Sequence, residues 1–325
     1  MAQIVGQTTG KEKVAGRTVK ELAVTMRLVN STGTGTVTTL PVLRNITVKS
    51  ILHRVGTDHT ILEGNLQNYA VDSHYERGLE AIVSATYLEQ KGLGQALLHI
   101  RITLPDVINC HSGDMLETDV SVLSGTYTSY FNVAQCVTDI QWVDAFGVEH
   151  GIPYIAIKAV QGAVASHPEV IGDGVQTITL LNFDQGLATT AATTDANQVV
   201  TGIQLNTNIG TFNETADHLN SRSMRMFETQ TARYIRGQCY RIHSHNGALM
   251  HDVRITLTMN AALNTAANNF IVVRGYKHDG ETHIRAHETM HKHQTAHVQH
   301  VAKHIGNDAI SKSLNAARNG ARHLR

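Results

Sequence analysis

The sharpest chemical motif of the chain is a His-Glu-x-x-His run near the C-terminus, formed by His287, Glu288 and His291. On a helix, histidines at i and i+4 share one face and can both bind Zn²⁺, while the glutamate activates the metal-bound water. His297 has the spacing of a third ligand, but Gln294 stands where the longer pattern has its bending glycine, and no Glu follows Glu288. The sequence therefore predicts no catalytic zinc site, and His287, His291 and His297 are weak metal-ligand candidates.

The three cysteines offer little further chemistry. Cys110, Cys136 and Cys239 lie far apart and show no Cys-x-x-Cys spacing, so neither a disulfide scaffold nor a thiolate zinc site is expected. Free thiols, buried as small apolar groups, are the expected state. The chain also lacks a Walker loop, a Gly-x-Ser-x-Gly elbow and a strand-to-helix Gly-x-Gly-x-x-Gly turn. We therefore expect no enzyme activity and no cofactor.

The remaining polar groups are interpreted as structural. His243 and His245 alternate as on a strand and are expected at a strand end and in a loop. Asp114, Glu117 and Asp119 are expected in a solvated loop rather than as a catalytic pair. The single Trp and the nine Tyr are dispersed, so no stacking platform for sequence-specific nucleic-acid binding is expected.

Residues 277–325 differ in composition from the rest of the chain. They hold eight Lys or Arg, four Asp or Glu and nine of the 20 His, a formal charge of +4 against −4 for residues 1–276. Asp279 or Thr282 can cap a helix that runs to about Ile305, and a second helix can follow. Such a tail is either solvated or docks onto an anionic surface of lipid headgroups or nucleic acid. The candidate membrane or inner-surface contacts are Lys292, Lys303, Lys312, Arg318, Arg322 and Arg325.

Before this tail, apolar and polar residues alternate, as is typical of strands with one buried face. The alternation is strict from Leu22 to Leu28, from Ala96 to Leu104 and from Val253 to Met259. Residues 65–87 and 215–235 instead show helical spacing. The pattern predicts a mainly β protein with short helical insertions. With 325 residues, 42% of them hydrophobic and 17% charged, the chain is expected to fold into two domains.

The two halves of the chain resemble each other. The tetrapeptide RITL occurs at residues 101–104 and again at 254–257, an offset of 153 residues, and AVTMRLVN from Ala23 matches TITLLNFD from Thr177 at nearly that offset. NITVKSILH from Asn45 likewise falls on QVVTGIQLN, and Leu66 falls on Leu219. This order predicts a tandem duplication. The expected limits are an N-terminal arm at 1–16, sandwiches at 17–165 and 173–276, and a helical tail at 277–325.

This organisation resembles the double jelly-roll major capsid proteins of tailless icosahedral bacteriophages with an internal membrane, the corticovirus-like and tectivirus-like groups. The resemblance covers residues 17–276 and rests on the repeated strands and on the segment GTVTTLPVLRNITVKSILHRV. It implies two tandem jelly rolls, a pseudo-hexagonal homotrimer, and a capsid lattice with minor capsid proteins around a viral membrane. Localisation in the virion, after synthesis in the host cytoplasm, follows from the same resemblance.

Two alternatives remain open at this stage. A tandem β-sandwich binding module, for carbohydrate or as a tail-associated protein, would present exposed aromatic residues on one sheet or loop cluster. A metalloprotease built on the His-Glu-x-x-His run is less favoured, for the reasons given above. The N-terminus lacks the apolar stretch of a secretory signal and no window reaches the length of a membrane span, so a soluble cytoplasmic product is expected.

Overall fold

The computed structural model describes ten stretches of the chain: residues 2–5, 9–32, 43–54, 56–77, 95–123, 131–183, 198–226, 239–244, 248–264 and 268–277. Residues 1–277 form one compact unit and residues 278–325 a second. The second unit, with its predicted helices, lies outside the described residues. Among the described helices, none is long and apolar enough to cross a membrane.

Sixteen strands are found in the described part of the chain, and they form two groups of eight. The first lobe comprises β1 (Ala2–Val5), β2 (Thr9–Val14), β3 (Thr18–Val29), β4 (Ile46–Arg54), β5 (Thr57–Asn65), β6 (Gln95–Asn109), β7 (Met115–Val122) and β8 (Val137–Asp144). The second lobe comprises β9 (Ile152–Ala159), β10 (Ser166–Gly172), β11 (Val175–Asn182), β12 (Val200–Thr207), β13 (Gly210–Thr215), β14 (Cys239–His243), β15 (Val253–Met259) and β16 (Asn269–Lys277). Helix α1 (Leu66–Arg77) follows β5, and helix α2 (Ala216–Met226) follows β13.

Both lobes have the same strand topology. In the first lobe, one sheet has the order β1-β8-β3-β6 and the other has the order β2-β7-β4-β5. In the second lobe the corresponding orders are β9-β16-β11-β14 and β10-β15-β12-β13. Numbered from one to eight within its lobe, each set of strands reads 1-8-3-6 and 2-7-4-5, which is the jelly roll. The chain is therefore mainly β and contains two tandem jelly rolls, as the sequence predicts.

The predicted repeat agrees with the strand topology for the third and fourth strands and for the helices, but not for the two RITL segments. β3 and β11 are both the third strand of their lobe, β4 and β12 are both the fourth, and both helices follow a fifth strand. The two RITL segments are not equivalent, because residues 101–104 lie in β6, a sixth strand, and residues 254–257 lie in β15, a seventh strand. Half-buried strands use the same few residue types, so two strands can share a tetrapeptide without holding equivalent places in their lobes.

The strand pairing does not follow the expected domain limits. Residues 1–16 contain β1 and β2, which pair with β8 and β7 of the first lobe. β9 and β10 lie before residue 173, yet β9 pairs with β16 and β10 pairs with β15 of the second lobe. The two groups of strands are separated by residues 145–151.

Each lobe has a core between its two sheets. In the first lobe, the buried Trp142 of β8 donates from Nε1 to Oγ1 of Thr118 at 2.8 Å, and Ser50 Oγ lies 2.9 Å from the same hydroxyl. The Trp142 bond joins the two sheets across the core, and the Ser50 contact lies within one sheet, between the neighbouring strands β4 and β7. In the second lobe, Tyr240 and Asn220 both donate to Oε1 of Gln198, which links a sheet to α2. These buried polar side chains are thus paired with one another, as is usual in protein cores.

The connections divide the molecule into two ends. The turn end carries the short connections at 15–17, 110–114, 145–151, 173–174 and 208–209, and the facing ends of β4 and β5. The insertion end carries both helices. Strand β16 runs toward the turn end, so the described body ends there at Lys277. The whole tail therefore follows from the turn end.

Candidate functional site

The candidate chemical residues of the tail cannot be placed. His287, His291 and His297, and the basic residues from Lys292 to Arg325, all lie outside the described residues. Among the residues that are described, no group of three or more His, Cys, Asp or Glu could hold a metal ion.

The prediction of free, buried cysteines is confirmed. Cys110, Cys136 and Cys239 are all unpaired and buried. Burial raises the pKa of each thiol, to about 11 for Cys110. Thiols in this state are poor nucleophiles, because the reactive thiolate is disfavoured.

The carboxylates expected in a solvated loop are placed differently. Asp114 is buried, with Oδ2 at 3.4 Å from Nε of Arg54. Arg54 also donates from Nη1 and Nη2 to both oxygens of Glu149, at 2.8 and 2.7 Å. Glu117 and Asp119 lie within strand β7, where their exposed partners come from β2. All of these groups are engaged in ion pairs that hold connections and strands together, so the expectation of a solvated loop is wrong.

The most organised polar site in the described chain lies where the two lobes meet. β5 of the first lobe runs parallel to β9 of the second, with Leu62 opposite Ile155 and Glu63 opposite Ala156. This pairing joins one sheet of each lobe into a single eight-stranded sheet. Gly64 permits the close approach, because a Cβ at that position would stand 2.5 Å from Cδ1 of Ile157.

Helix α1 packs across this junction, and its buried carboxylate, Asp72, contacts residues of the second lobe. Asp72 Oδ2 accepts a hydrogen bond from Nε of Arg274 at 2.6 Å, and Oδ1 lies 3.9 Å from Nη2 of Arg241. Arg274 also donates to the backbone oxygen of Thr103 at 2.8 Å. Burial opposes the charged form of Asp72, but attraction to the two guanidinium groups outweighs it and lowers the pKa of Asp72. The result is a buried ionic cluster built from both lobes.

Apolar contacts surround the ionic cluster. Leu181, Cys239 and Val272 of the second lobe belong to the core of the first lobe rather than to that of their own. Tyr69 of α1 donates from its hydroxyl to the backbone oxygen of Ile155 at 3.3 Å. The arrangement can hold two lobes in a fixed relation, and its charged side chains are buried.

The far side of the second lobe is open. β13 is the outer strand of its sheet, and Phe212 on β13 and Ile209 in the preceding turn are 46% and 69% exposed. These residues border a cavity of about 310 Å³ that also contacts Leu205, Ile242 and Met250 of the core. The lining is mainly apolar, which suits contact with protein more than binding of a charged small molecule.

The buried ion pair at the junction of the two lobes is not predicted from the sequence. Its two key charges do carry a signal, since Asp72 lies in YAVDSHY and Arg274 in FIVVRGY, and each is a single charge within an apolar segment. Such a charge needs a buried partner. The identity of that partner does not follow from the sequence, because the two residues are 202 positions apart.

The sequence itself matches no protein-family model and no curated protein. The fold does resemble solved structures. A chain in the atomic structure of Sulfolobus Turreted Icosahedral Virus gives a TM-score of 0.51 at 12% identity, covering 84% of this chain and 87% of that chain. The crystal structure of the STIV MCP, the major capsid protein of that virus, gives 0.48 at 11% identity over 84% and 92%. A chain from a triple jelly-roll and turret structure of an archaeal virus gives 0.21 at 9% identity over 84% and 58%. Of these three, the first has a TM-score above 0.5, and it shows that the two chains share a fold.

Proposed function

We propose that this chain is a structural capsid protein that assembles into an icosahedral viral shell. The observation that carries the proposal is the doubled jelly roll: two lobes of identical topology stand side by side on one shared sheet. The structure with the same fold belongs to an icosahedral virus. A jelly roll also leaves few sheet edges open, which limits unwanted strand pairing at the high concentration of a capsid.

The proposed building block is a homotrimer with a pseudo-hexagonal outline. Each chain supplies two similar lobes, so three chains imitate six-fold packing. We propose lobe limits of residues 2–144 and 152–277, which keep every strand with the strands it pairs with, in place of the limits 17–165 and 173–276. The buried cluster of Asp72, Arg274 and Arg241 then fixes the angle between neighbouring lobes within a chain.

Mass measurement and imaging of the purified full chain test the proposal. Light scattering should give about three times 35.5 kDa, and negative-stain electron microscopy should show particles with a hexagonal outline. A chain that stays monomeric at every concentration and forms no larger assembly contradicts the proposal. Aligned aromatic residues on one exposed surface, with retention on a carbohydrate matrix, would favour the binding-module alternative instead.

The tail is proposed to lie on the inner side of the shell and to contact a membrane. It follows Lys277 at the turn end, where Phe146, Val148 and Ile209 are exposed. Its net charge of +4 and its nine histidines favour anionic headgroups, and protonation near pH ~6.5 strengthens that attraction. The proposed contacts are Lys292, Lys303, Lys312, Arg318, Arg322 and Arg325.

Vesicle sedimentation separates this role from a solvated tail. The full chain should bind anionic vesicles more strongly at pH 5.5 than at pH 7.5 and weakly at high salt, and a chain ending at Lys277 should bind less. Equal binding to neutral and anionic vesicles removes the membrane role. The finer assignment to a bacteriophage rests on the sequence resemblance and stays a prediction.

A further inference from the structure

Each element that forms the junction between the two lobes has a counterpart in the other lobe, and these counterparts do not meet within the chain. β13 and α2 hold the same places in the second lobe that β5 and α1 hold in the first. β1 holds the place in the first lobe that β9 holds in the second. Within the chain, β5 pairs with β9, whereas β13 and β1 are both outer strands with one edge open among the described residues.

We infer that β13 and α2 of one chain dock on β1 and the adjoining sheet of a second copy, by the same parallel strand pairing that joins the two lobes. This inference rests on the proposed capsomer and names the surfaces that build it. The contact joins two different surfaces, so it is heterologous and closes only as a ring. With two lobes per chain, three copies complete a ring of six lobes.

Burial at matching positions supports the inference. The helix caps align the two edges, because Asn65 Oδ1 accepts from the Asn68 amide and Thr215 Oγ1 accepts from the His218 amide. Leu62 then corresponds to Phe212. Leu62, which lies opposite Ile155 of the second lobe, is fully buried, and Phe212 is 46% exposed.

The helices differ in the same way. Asn68 of α1 is 1% exposed, whereas the corresponding His218 of α2 has a side chain that is 62% exposed. Surface that is covered at the first junction is therefore uncovered at the corresponding place in the second lobe.

The receiving surface on the first lobe is open as well. In the second lobe, Cys239 faces Leu181 across β14 and β11 and is fully buried at the junction. At the corresponding place in the first lobe, Leu97 faces Arg27 across β6 and β3 and is 46% exposed. Leu97 is an apolar residue on a polar sheet face, where a docking helix would cover it.

The strand register predicts which residues meet. Glu63 lies opposite Ala156, and Ala156 lies opposite Val273. In the first lobe, Ile140 corresponds to Val273 and lies opposite Ala2, so Ala2 corresponds to Ala156. In the second lobe, Asn213 of β13 corresponds to Glu63 of β5. Asn213 of one chain should therefore lie beside Ala2 of the next, within the ~4.4–6.8 Å between Cα atoms that a disulfide spans.

Cross-linking of the assembled full chain tests this register. The double variant Ala2→Cys/Asn213→Cys should form inter-chain disulfides that end in a closed trimer on a non-reducing gel. The native thiols are buried, so they contribute no background in folded protein. The matched control, Asn213→Cys with the exposed Leu123→Cys, should give no closed trimer. Trimers of the wild type without cross-linking in the double variant overturn the inference and leave the capsid proposal intact.

Substitution of exposed residues gives a second measurement. Phe212→Asp alters the docking edge, which is β13 with α2, and Leu97→Asp alters the receiving face, which is the outer sheet face of the first lobe. Each should raise at least tenfold the concentration at which half of the chains are trimeric. Phe146→Asp, the same change at a fully exposed site at the turn end, should not. All three variants should keep the far-ultraviolet circular dichroism of the wild type, since none of the three side chains is buried.

Mixing the two damaged chains reveals the polarity of the contact. A Phe212→Asp chain keeps its receiving face and a Leu97→Asp chain keeps its docking edge, so a mixture should give dimers with one intact junction and no trimers. Trimerisation of either variant at the same concentration as the wild type, or symmetric dimers of one variant alone, overturns the inference. A wild-type chain that is monomeric throughout overturns both this inference and the proposed function.

Discussion

The outer face of the 1-8-3-6 sheet meets different surroundings in the two lobes. In the second lobe, Thr179, Leu181 and Arg274 on this face are almost fully buried beneath α1 and the first lobe. In the first lobe, the side chains of Arg27 and Arg101 on the corresponding face are 57% and 44% exposed. One topology thus supports a polar surface in one lobe and a buried interface in the other.

Two ion pairs of similar length show what burial changes. Arg17 Nε lies 2.7 Å from Asp144 Oδ1 in the first lobe, with both side chains exposed, and Arg274 Nε lies 2.6 Å from the buried Asp72 Oδ2. The distances are nearly equal, but water screens the first pair, whereas both side chains of the second pair are buried. An exposed pair contributes about 0–1 kcal/mol, whereas breaking a buried pair costs about 3–5 kcal/mol because a charge is left without a partner. Geometry alone does not rank the two pairs.

The largest expected effect is therefore at Asp72. Asp72→Asn keeps the shape of the side chain but leaves Arg274 and Arg241 without a counter-charge, and should lower the free energy of unfolding by about 3–5 kcal/mol. Asp144→Asn, the matched change at the exposed pair with Arg17, should lower it by about 1 kcal/mol or less. Urea unfolding followed by far-ultraviolet circular dichroism measures both. Equal losses would mean that burial does not distinguish the two pairs.

The same comparison predicts a pH dependence. The pKa of Asp72 is lower in the folded chain than its unfolded value of about 3.9, so the carboxylate stabilises the fold above that pH and its contribution is lost as the pH falls below it. The Asp72→Asn variant lacks this contribution at every pH. The stability difference between wild type and variant should therefore be constant near neutrality and shrink below about pH 4. A difference that grows in acid contradicts the assignment.

Thiol labelling tests whether the junction opens locally. Cys239 lies on the covered face and Cys136 lies in the core of the first lobe, and both are fully buried. Asp72→Asn should speed labelling of Cys239 at least tenfold, since each 1.4 kcal/mol of lost stability is about a factor of ten. Labelling of Cys136 should change less. Equal acceleration at both cysteines would show that the lobes unfold as one unit.

A smaller effect is expected at the strand contact. Gly64→Ala places a Cβ against Ile157, and the required shift should cost about 1–3 kcal/mol. Trimming the neighbour in Gly64→Ala/Ile157→Val should recover part of this loss. Gly202→Ala, where the nearest atom is 3.5 Å away, is the control and should cost less. Thermal unfolding of the wild type and the three variants measures these losses.

The smallest effect is expected at an exposed carboxylate of the first lobe. Hydrogen bonds from Lys13 and Lys11 lower the pKa of Glu117 to about 2, but all three side chains meet solvent. Glu117→Gln should change stability slightly at low salt and not at all at high salt, because salt screens exposed charges. Unfolding in buffers of low and high ionic strength checks this. A salt-independent loss would place Glu117 with the buried pairs.

The sequence predicts the features that repeat locally, and it fails for those that depend on distant partners. Alternation locates β3 and β15, and helical spacing locates α1 and α2. β9 and β10 do not alternate in this way, because residues 152–155 of β9 are buried on both faces and His167 is the one buried residue of β10. The domain limits drawn from alternation consequently cut through the second lobe.

The candidate site shows the same division. Free cysteines follow from their spacing, whereas the buried cluster follows only from three-dimensional proximity. The scattered carboxylates Asp114, Glu117 and Asp119 predict a solvated loop, yet Arg54 of β4 contacts the buried Asp114 in the fold. Composition describes a segment and does not identify what the fold places against it.

The shared eight-stranded sheet has a consequence for synthesis on the ribosome. A nascent chain can complete β1–β8 before β9 exists, so the edge of β5 stays open while the second lobe is made. The ion pair of Asp72 forms later still, since Arg274 follows Asp72 by 202 residues and lies in β16. Loops of this length close slowly, and open strand edges are prone to misassociation in the meantime. A charged, solvated Asp72 opposes premature apolar docking of α1, and the arrival of β16 supplies the counter-charge that lets the two lobes join.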